Sequence, residues 1–247
     1  MTLRRFPDSA QPALFIAADR ASLRAQSQYF WGLRLYLTLL VVAALVSFCA
    51  PASAGGSIAS AILFLLTLAI LGLLKVERPD DTWYNGRAVA ESVKTRSWRW
   101  AMRAEPYDGE DSGEQVEKEF LSDLRAILDQ NRSLSRHLSW ESLDGRAISD
   151  EMKAVRALPV NDRLGIYKAE RVHEQRDWYG RKSLENRRKA KWCFIVSVAL
   201  HSIAVLMLIY RVRNPSALLP VEVIAAAAGA TLTWLQAKRH NELNSSY

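Results

Sequence analysis

Four segments of the chain are almost free of charged side chains, and they fall into two close pairs. They are Leu35–Ala50, Ser57–Leu74, Trp192–Tyr210 and Leu218–Leu235. Each has 16 to 19 residues, at the short end of the range for a membrane-spanning helix. A helix buried in a soluble core can be equally apolar, but two pairs with aromatic and basic edges favour the membrane. The pattern predicts an all-α integral membrane protein with four transmembrane helices in two hairpins, residues 35–74 and 192–235.

The region between the hairpins, residues 75–191, is densely charged, and its apolar positions recur at helical spacing. Helices are predicted at Thr82–Ala104, from about Phe120 to Leu138, and at Ser149–Leu158. No stretch alternates as a strand would. We therefore expect a cytoplasmic helical domain over 75–191, a cytoplasmic arm over 1–34 that lies on the surface as a lead-in to the first span, and a cytoplasmic tail over 236–247.

One helix is predicted to run from Pro159 to Tyr210. It is charged from Asn161 to Lys191 and apolar from Trp192 onwards, and Gly180 is its one weak point. Such a helix starts in the cytoplasm and ends inside the bilayer. It is therefore expected to couple the soluble domain mechanically to the third span.

The distribution of Lys and Arg predicts the orientation. The net charge is +7, and 24 of the 33 basic residues lie in residues 75–191. The turn between the first two spans carries none. By the positive-inside rule, both termini and the central region face the cytoplasm of a multi-pass inner-membrane protein. A cleavable signal peptide ending near Ala52-Ser53-Ala54 is the competing interpretation, but some 34 residues would precede its apolar stretch.

Two helical faces in the central region mix aromatic and charged residues. The first consists of Trp83, Arg87, Glu91, Lys94, Trp98 and Met102. The second consists of Tyr167, Arg171, Gln175, Trp178 or Tyr179, Lys182 and Asn186. Each face is either a partly buried ion network between helices or a solvated face with aromatic edges. If the two faces meet, Glu91 is the expected partner of Arg171.

Two ionisable residues fall within the apolar segments, His201 in the third and Glu222 near the outer end of the fourth. Such residues usually face protein or water. Small residues on the fourth segment suit close helix packing; they are Ala225, Ala226, Gly229 and Ala230. Either this segment lines the axis of an oligomeric pore with Glu222 at its mouth, or His201 hydrogen-bonds inside a closed bundle and Glu222 reaches outward.

The sequence carries no recognisable catalytic constellation: it has no phosphate-binding loop, no nucleophile elbow and no metal-ligand spacing. Cys49 and Cys193 fall at opposite ends of different spans, so they predict no disulfide. We expect no enzymatic activity, no cofactor and no metal. The basic run before the third span abuts the bilayer, so lipid headgroups are its expected partners rather than nucleic acid. Its residues are Arg187, Arg188, Lys189 and Lys191.

Residues 83–95 and 98–107 (WYNGRAVAESVKT and WRWAMRAEPY) together resemble the juxtamembrane signature of the SLATT proteins. These are the SMODS- and SLOG-associating two-transmembrane effector domains of bacteria. Residues 167–179 (YKAERVHEQRDWY), which lead through Asn186 to the third span, resemble a second unit of the same kind more loosely. The resemblance covers most of the chain, as a hairpin followed by a helix and then a helix followed by a hairpin.

The resemblance implies a membrane effector that forms pores or perturbs the membrane in nucleotide-signalled, anti-phage conflict systems. Unlike the fused versions, these 247 residues carry no recognisable nucleotidyltransferase or nucleotide-sensor domain. A signal is therefore expected to be received either by a separate cytoplasmic partner that makes or senses a nucleotide or by the helical body itself. Four short spans enclose a conduit poorly, so a pore requires a homo-oligomer. A constitutive ion channel or transporter and a non-conducting scaffold for a cytoplasmic partner remain alternatives.

Overall fold

A computed structural model of the chain describes residues 6–50, 53–109, 113–135, 138 and 147–238. Of the residues that the structure describes, 87% are helical and none is in a strand, so the all-α prediction is confirmed. The helices are α1 Ala13–Cys49, α2 Ala54–Glu77, α3 Pro79–Met102, α4 Gly113–Gln130, α5 Arg132–Ser135, α6 Asp150–Arg156, α7 Val160–Tyr167, α8 Glu174–Arg213 and α9 Val221–Lys238. A π-helical segment, Lys168–His173, joins α7 to α8. The predicted tail beyond Lys238 lies outside the described residues.

Among the described residues, three helical runs are long and apolar enough to cross a membrane: Ala13–Cys49, Ala54–Met102 and Val160–Arg213. They contain the first three predicted spans. The fourth predicted span falls on α9, which is not among these runs. Its 18 residues begin at Val221, after an extended connection, and they include Glu222 and Lys238 near its ends. The fourth span therefore stays a prediction.

The described residues divide into two compact groups, and each of the three runs has residues in both. The helical body is formed within Met1–Tyr29 and Arg78–Arg176, and the apolar unit within Phe30–Glu77 and Asp177–Tyr247. α1 begins in the helical body and ends in the apolar unit. α2 belongs to the apolar unit and α3 to the helical body.

The first half of α1 is part of the core of the helical body. Leu14, Phe15, Ala18 and Ala21 are buried with Val89 and other residues of α3. The expectation of a surface-lying lead-in was therefore wrong. The apolar residues of this segment recur at helical spacing, so they form one continuous face that α3 covers. The approach is close because α3 presents Gly86, whose Cβ, if present, would lie 3.0 Å from the Ala18 carbonyl oxygen.

The break between α2 and α3 is a single residue. Arg78 adopts a left-handed conformation with φ 45°, and Pro79 is the first residue of α3. Proline lacks an N–H and disfavours a helical conformation in the residue before it, so the helix cannot continue through this point. The predicted turn at Pro79 is confirmed, although α3 starts three residues before Thr82, its predicted first residue.

The rest of the helical body packs around large apolar side chains. The largest fully buried ones include Trp100, Tyr107, Phe120, Leu134 and Met152. The short helix predicted from Ser149 is confirmed as α6: the Ser149 hydroxyl caps it by accepting a hydrogen bond of 3.1 Å from the Met152 N–H. The helix predicted to continue to Leu138 instead ends at Gln130 and is followed by the short α5.

The apolar unit has the opposite arrangement, with large apolar side chains outside and small ones inside. Leu65 and Leu206 are 64% and 65% exposed. Many of the buried positions away from the ends of these helices hold small or hydroxyl-bearing residues, among them Ala43, Ser60, Thr67, Ser197, Ala204 and Ala228. Small residues at helix contacts and large apolar ones at the periphery are typical of helices that pack in lipid. This distribution supports membrane insertion of the three runs.

The long helix predicted from Pro159 to Tyr210 is confirmed as one helical run, Val160–Arg213. Its irregularity lies at Lys168–His173 rather than at Gly180. A Cβ at Gly180 would meet no atom within 4 Å, and α8 passes through this position unbroken. A π-helical segment has poorer backbone geometry than an α-helix and commonly marks a functional position.

Candidate functional site

The mixed face of α3 packs against the first half of α1 through ion pairs and aromatic rings. Lys94 Nζ lies 2.5 Å from a carboxylate oxygen of Asp8 and 5.5 Å from the centre of the Phe15 ring. The Lys94 side chain is only 14% exposed, so its stem is buried while its charge is neutralised. Arg87 lies 3.5 Å from Asp19 on α1. These contacts make the α3 face a partly buried ion network whose neighbour is α1.

Near the start of α3, this face contacts α1 through a hydrogen bond to a backbone carbonyl and through aromatic rings. The Ser22 hydroxyl donates a hydrogen bond of 3.0 Å to the Trp83 carbonyl oxygen. The Trp83 ring stacks on Tyr84 at 4.7 Å and lies 6.4 Å from Tyr29. Met102 packs against the core of the helical body. The α1–α3 pairing is therefore held along the whole length of the predicted face.

The predicted contact between Glu91 and Arg171 is not formed. Glu91 instead pairs with Arg87, one turn earlier on α3, at 2.8 Å. An i,i+4 pair on one helix needs no tertiary approach, whereas Arg171 lies in the π-helical segment. Within the described part of the chain neither Arg171 nor Gln175 has a hydrogen-bonding partner, and Trp178 stacks edge-on against Tyr179 at 5.0 Å.

The two predicted faces do meet at one point, Trp98. This side chain is 4% exposed, and its ring centre lies 5.7 Å from that of Tyr167 and 4.8 Å from that of Phe6. Both pairs are edge-to-face, the geometry that aromatic quadrupoles favour. The backbone N–H of Phe6 donates a hydrogen bond of 2.7 Å to the Glu170 carboxylate. The junction of α7 and the π-helical segment is thereby fixed to α3 and to the start of the chain.

A second set of contacts, which the sequence reasoning missed, fixes the end of α3. Arg156 on α6 donates hydrogen bonds to the carbonyl oxygens of Trp100 and Tyr107, and its guanidinium lies 4.8 Å from the Trp100 ring centre. Burial lowers the pKa of Arg156, and the nearby charges of Arg103 and Arg163 lower it further. These two carbonyl acceptors, one in the last turn of α3 and one in the segment after it, compensate the burial of this charge.

The Tyr107 hydroxyl donates a hydrogen bond to Asp123 on α4, and the same carboxylate lies 3.2 Å from Arg96. Burial and the Asp123 carboxylate raise the pKa of Tyr107 above its ordinary value. The hydroxyl therefore stays protonated and neutral at physiological pH. The bond ties the segment after α3 to α4.

The predicted pore residues make separate contacts. His201 is exposed on α8, and its Nδ1 lies 2.7 Å from the Ser197 carbonyl oxygen of the same helix. Glu222 is 70% exposed and lies 3.8 Å from Arg211, across the connection from α8 to α9. On α9, Ala225 and Gly229 are exposed, Ala226 and Ala230 are half-buried, and Ala228 is fully buried. The small face that contains Ala225 and Gly229 is therefore open to the surroundings of the subunit.

One lysine of the basic run before the third span is paired with a carboxylate. Glu185 accepts hydrogen bonds from Lys182 at 3.0 Å and from Lys189 at 2.5 Å, which lower the pKa of Glu185 to about 2. Lys189 is thus engaged within α8. The other predicted headgroup contacts are exposed side chains: Arg187, Arg188 and Lys191. Asn186 of the predicted face is buried in the apolar unit.

A groove of about 420 Å³ separates α1 from α9 in the apolar unit. Its walls are Arg34, Leu37, Thr38, Val41 and Val42 on α1, and Ala227, Ala230, Thr231 and Trp234 on α9. At one end, Arg34 lies 5.1 Å and Lys238 lies 5.2 Å from the Trp234 ring centre. The spacings Phe30–Arg34 and Trp234–Lys238, each one helical turn, were the signal from which sequence reasoning could have found this cluster.

None of these arrangements has the chemistry of a metal centre, since the described residues include no cluster of three His, Cys, Asp or Glu side chains that could hold an ion. The contacts are those of a helical assembly joined to membrane helices. Comparison with known families bears directly on that architecture. The pattern of SMODS and SLOG-associating 2TM effector domain 3 (SLATT_3) matches residues 12–164. The chain belongs to the SLATT family.

A second pattern, SMODS and SLOG-associating 2TM effector domain 1 (SLATT_1), matches residues 167–247. The protein therefore carries two SLATT domains in one chain, as the sequence predicted. The second match begins at Tyr167, the last residue of α7, directly before the π-helical segment. SLATT domains are membrane effector domains associated with conflict systems. No curated protein and no solved structure matches this chain.

Proposed function

We propose that this SLATT protein is a bacterial inner-membrane effector that assembles into a homo-oligomer and permeabilises the membrane when a nucleotide-signalled conflict system is triggered. The observation that carries this proposal is that three helical runs belong both to the buried helical body and to the apolar unit. A change in the packing of the helical body has a direct covalent route into each of the first three predicted spans. The proposal assigns the chain no catalytic step.

The fourth span belongs to this proposal. Each family match describes a domain with two transmembrane segments, and the second match contains α8 and α9. With α9 as the partner of α8, both short connections face outward and both termini face the cytoplasm. Single cysteines at Gly55 and Asn214, in a chain with Cys49 and Cys193 replaced by Ser, should react with an impermeant reagent from outside the inner membrane. Labelling of either residue only from the cytoplasm would contradict the topology.

Oligomerisation is supported by the open α9 surface that contains Ala225 and Gly229. Helices approach closely through such surfaces, and a lipid-facing small surface offers a place for a second copy. Mass measurement of the purified protein in detergent should give one defined oligomer. Gly229→Leu should reduce that mass, whereas Leu65→Ala, a change at an exposed residue of α2, should not.

Permeabilisation is tested directly with potassium-loaded liposomes. The reconstituted protein should release potassium, and expression in the host should arrest growth. Glu222→Gln should change the cation preference if this carboxylate rings the outer mouth, while Glu114→Gln, on an exposed α4 residue, should leave it unchanged. A defined oligomer that never conducts, with or without the neighbouring conflict proteins, would favour the scaffold; conduction without toxicity would favour a constitutive channel.

The trigger is proposed to reach the protein through a separate cytoplasmic partner that makes or senses a nucleotide. The helical body offers exposed apolar side chains for such a contact, including Val160, Leu164 and Val172. Proteins encoded by the neighbouring genes should co-purify with the wild-type protein and should no longer co-purify with Leu164→Asp. That result would support this part of the proposal. Equal co-purification with both would remove these residues from the contact.

A further inference from the structure

The groove between α1 and α9 is apolar along its length. Its walls are aliphatic or small side chains apart from two threonines and the residues at one end. The Thr231 hydroxyl already donates a hydrogen bond of 2.9 Å to the Ala227 carbonyl oxygen, so it does not need an acceptor on a molecule bound in the groove. A volume of about 420 Å³ accommodates alkyl chain rather than a polar solute.

One end of the groove carries two cations. Arg34 and Lys238 lie over the Trp234 ring, and Lys238 Nζ is 3.3 Å from the centre of the Phe30 ring. In the described part of the chain neither has a carboxylate partner, whereas Lys182 and Lys189 share Glu185. Cation–π contacts hold the two charges in place without neutralising them. The electrostatic field at this end therefore attracts an anion.

Both cations stand at the ends of apolar segments on the predicted cytoplasmic side. Arg34 directly precedes Leu35, and Lys238 follows Leu235 by three residues. Trp234 and Phe30, with ring centres 5.8 Å apart, supply the aromatic side chains that favour the headgroup level of a bilayer. An occupant of the whole site must thus have a negative charge at the membrane surface and hydrocarbon below it.

We propose that this groove, formed by α1 and α9 of one subunit, binds one anionic phospholipid of the cytoplasmic leaflet, with its phosphate between Arg34 and Lys238 and an acyl chain along Val41, Ala227 and Ala230. Basic pockets between transmembrane helices on the cytoplasmic side bind acidic headgroups in this manner. The bound lipid joins a helix of the first SLATT domain to a helix of the second. The proposal relies on membrane insertion but not on pore formation.

The test is native mass spectrometry of the purified full chain titrated with phosphatidylglycerol, and with phosphatidylcholine of the same acyl chains. We expect one phosphatidylglycerol molecule to bind per subunit. Phosphatidylcholine should bind with at least tenfold lower affinity. The double substitution Arg34→Gln with Lys238→Gln should weaken the binding of phosphatidylglycerol about 30-fold. This corresponds to about five- to sixfold for each cation removed. The matched control is Arg20→Gln with Arg24→Gln, which removes the same charge from exposed positions of α1 outside the groove and should change affinity less than threefold.

Two further variants separate lost binding from lost folding. Arg34→Lys with Lys238→Arg keeps both charges and should retain binding within about threefold, since a phosphate accepts either cation. Ala230→Phe keeps the charge and fills the groove, and it should weaken long-chain phosphatidylglycerol at least tenfold. Each variant should retain wild-type helicity by circular dichroism.

Three results would overturn the site: wild-type affinity in Arg34→Gln with Lys238→Gln, an equal loss in the Arg20→Gln with Arg24→Gln control, or no preference for phosphatidylglycerol over phosphatidylcholine. Liposome leakage, scored separately, tests pore formation and does not bear on these results.

Discussion

The backbone N–H of Phe6 donates a hydrogen bond of 2.7 Å to the Glu170 carboxylate, a residue 164 positions later in the chain. It joins the first described residue to the π-helical segment that precedes α8. The N-terminal arm thereby becomes a structural part of the route from the helical body to the third span. A perturbation of either residue is expected to be felt at the other.

Glu170→Gln should destabilise the helical body by about 1–2 kcal/mol, because it replaces a charged acceptor of the buried Phe6 N–H by a neutral amide. Denaturant unfolding of the detergent-solubilised protein, followed by circular dichroism, measures the change. Glu174→Gln, at an exposed position one turn later, is the matched control and should have no measurable effect. Equal stability of the two variants would show that the Phe6 contact contributes nothing.

Trp98→Ala should destabilise the helical body by about 3–5 kcal/mol, because it removes a buried ring that contacts both Phe6 and Tyr167. Limited proteolysis should then cut the chain before α1, where Phe6 loses its aromatic neighbour. The exposed side chain of Leu164 provides a control, and Leu164→Ala should cost less than about 0.5 kcal/mol. Protease resistance in Trp98→Ala would contradict this account of the aromatic cluster.

Two glycines should respond to substitution in opposite directions. Gly86→Val should lower the free energy of unfolding of the helical body by about 1–3 kcal/mol, because the valine side chain would clash with the Ala18 carbonyl and Ser22. Gly180→Ala should stabilise α8 by about 0.5–1 kcal/mol, since open space surrounds the position and glycine is a poor helix former. The unfolding midpoint in urea measures both. Tolerance of Gly86→Val would mean that α1 and α3 do not approach closely.

The Glu185 carboxylate should make stability depend on pH in an acidic window. Its pKa is lowered to about 2 from an ordinary value of 4.5 by hydrogen bonds from Lys189 and Lys182. A group with a depressed folded-state pKa stabilises the protein above its unfolded pKa, and the contribution is lost as the pH falls towards about 2. The gap in melting temperature between wild type and Glu185→Gln should therefore shrink as the pH is lowered from 5 to 2. A constant gap would exclude titration of Glu185 as its cause.

Much of the local architecture could be predicted because it depends on short stretches of neighbouring residues. The helical period, the break at Pro79 and the cap at Ser149 each depend on neighbouring residues only, and the family signature at Trp83 is likewise contiguous. The unbroken run from Val160 to Arg213 follows from the lack of proline within it. Local backbone energetics determine these features whatever the distant chain does.

The partners of these elements could not be predicted in the same way. The pattern identified the α3 face and Trp98 but assigned the face to the wrong neighbour, because the face carries both Glu91 and Lys94. Considered alone, such a face can pair with a cation such as Arg171 or with an anion such as Asp8. Only the packed chain brings Asp8 to Lys94 and Arg34 to Trp234. The position of the π-helical segment is likewise set by what holds Tyr167 and Glu170, not by the flexible Gly180.

The sequence by itself therefore determined a helical SLATT protein with apolar segments able to cross a membrane. The tertiary structure alone decided that the first half of α1 is part of the core of the helical body and that Glu91 pairs within its own helix. It also decided that Arg34 and Lys238 both lie over the Trp234 ring. The physical reason is range: helix propensity and hydropathy act over a few residues, whereas packing and charge pairing depend on which distant segments the fold brings within a few ångströms.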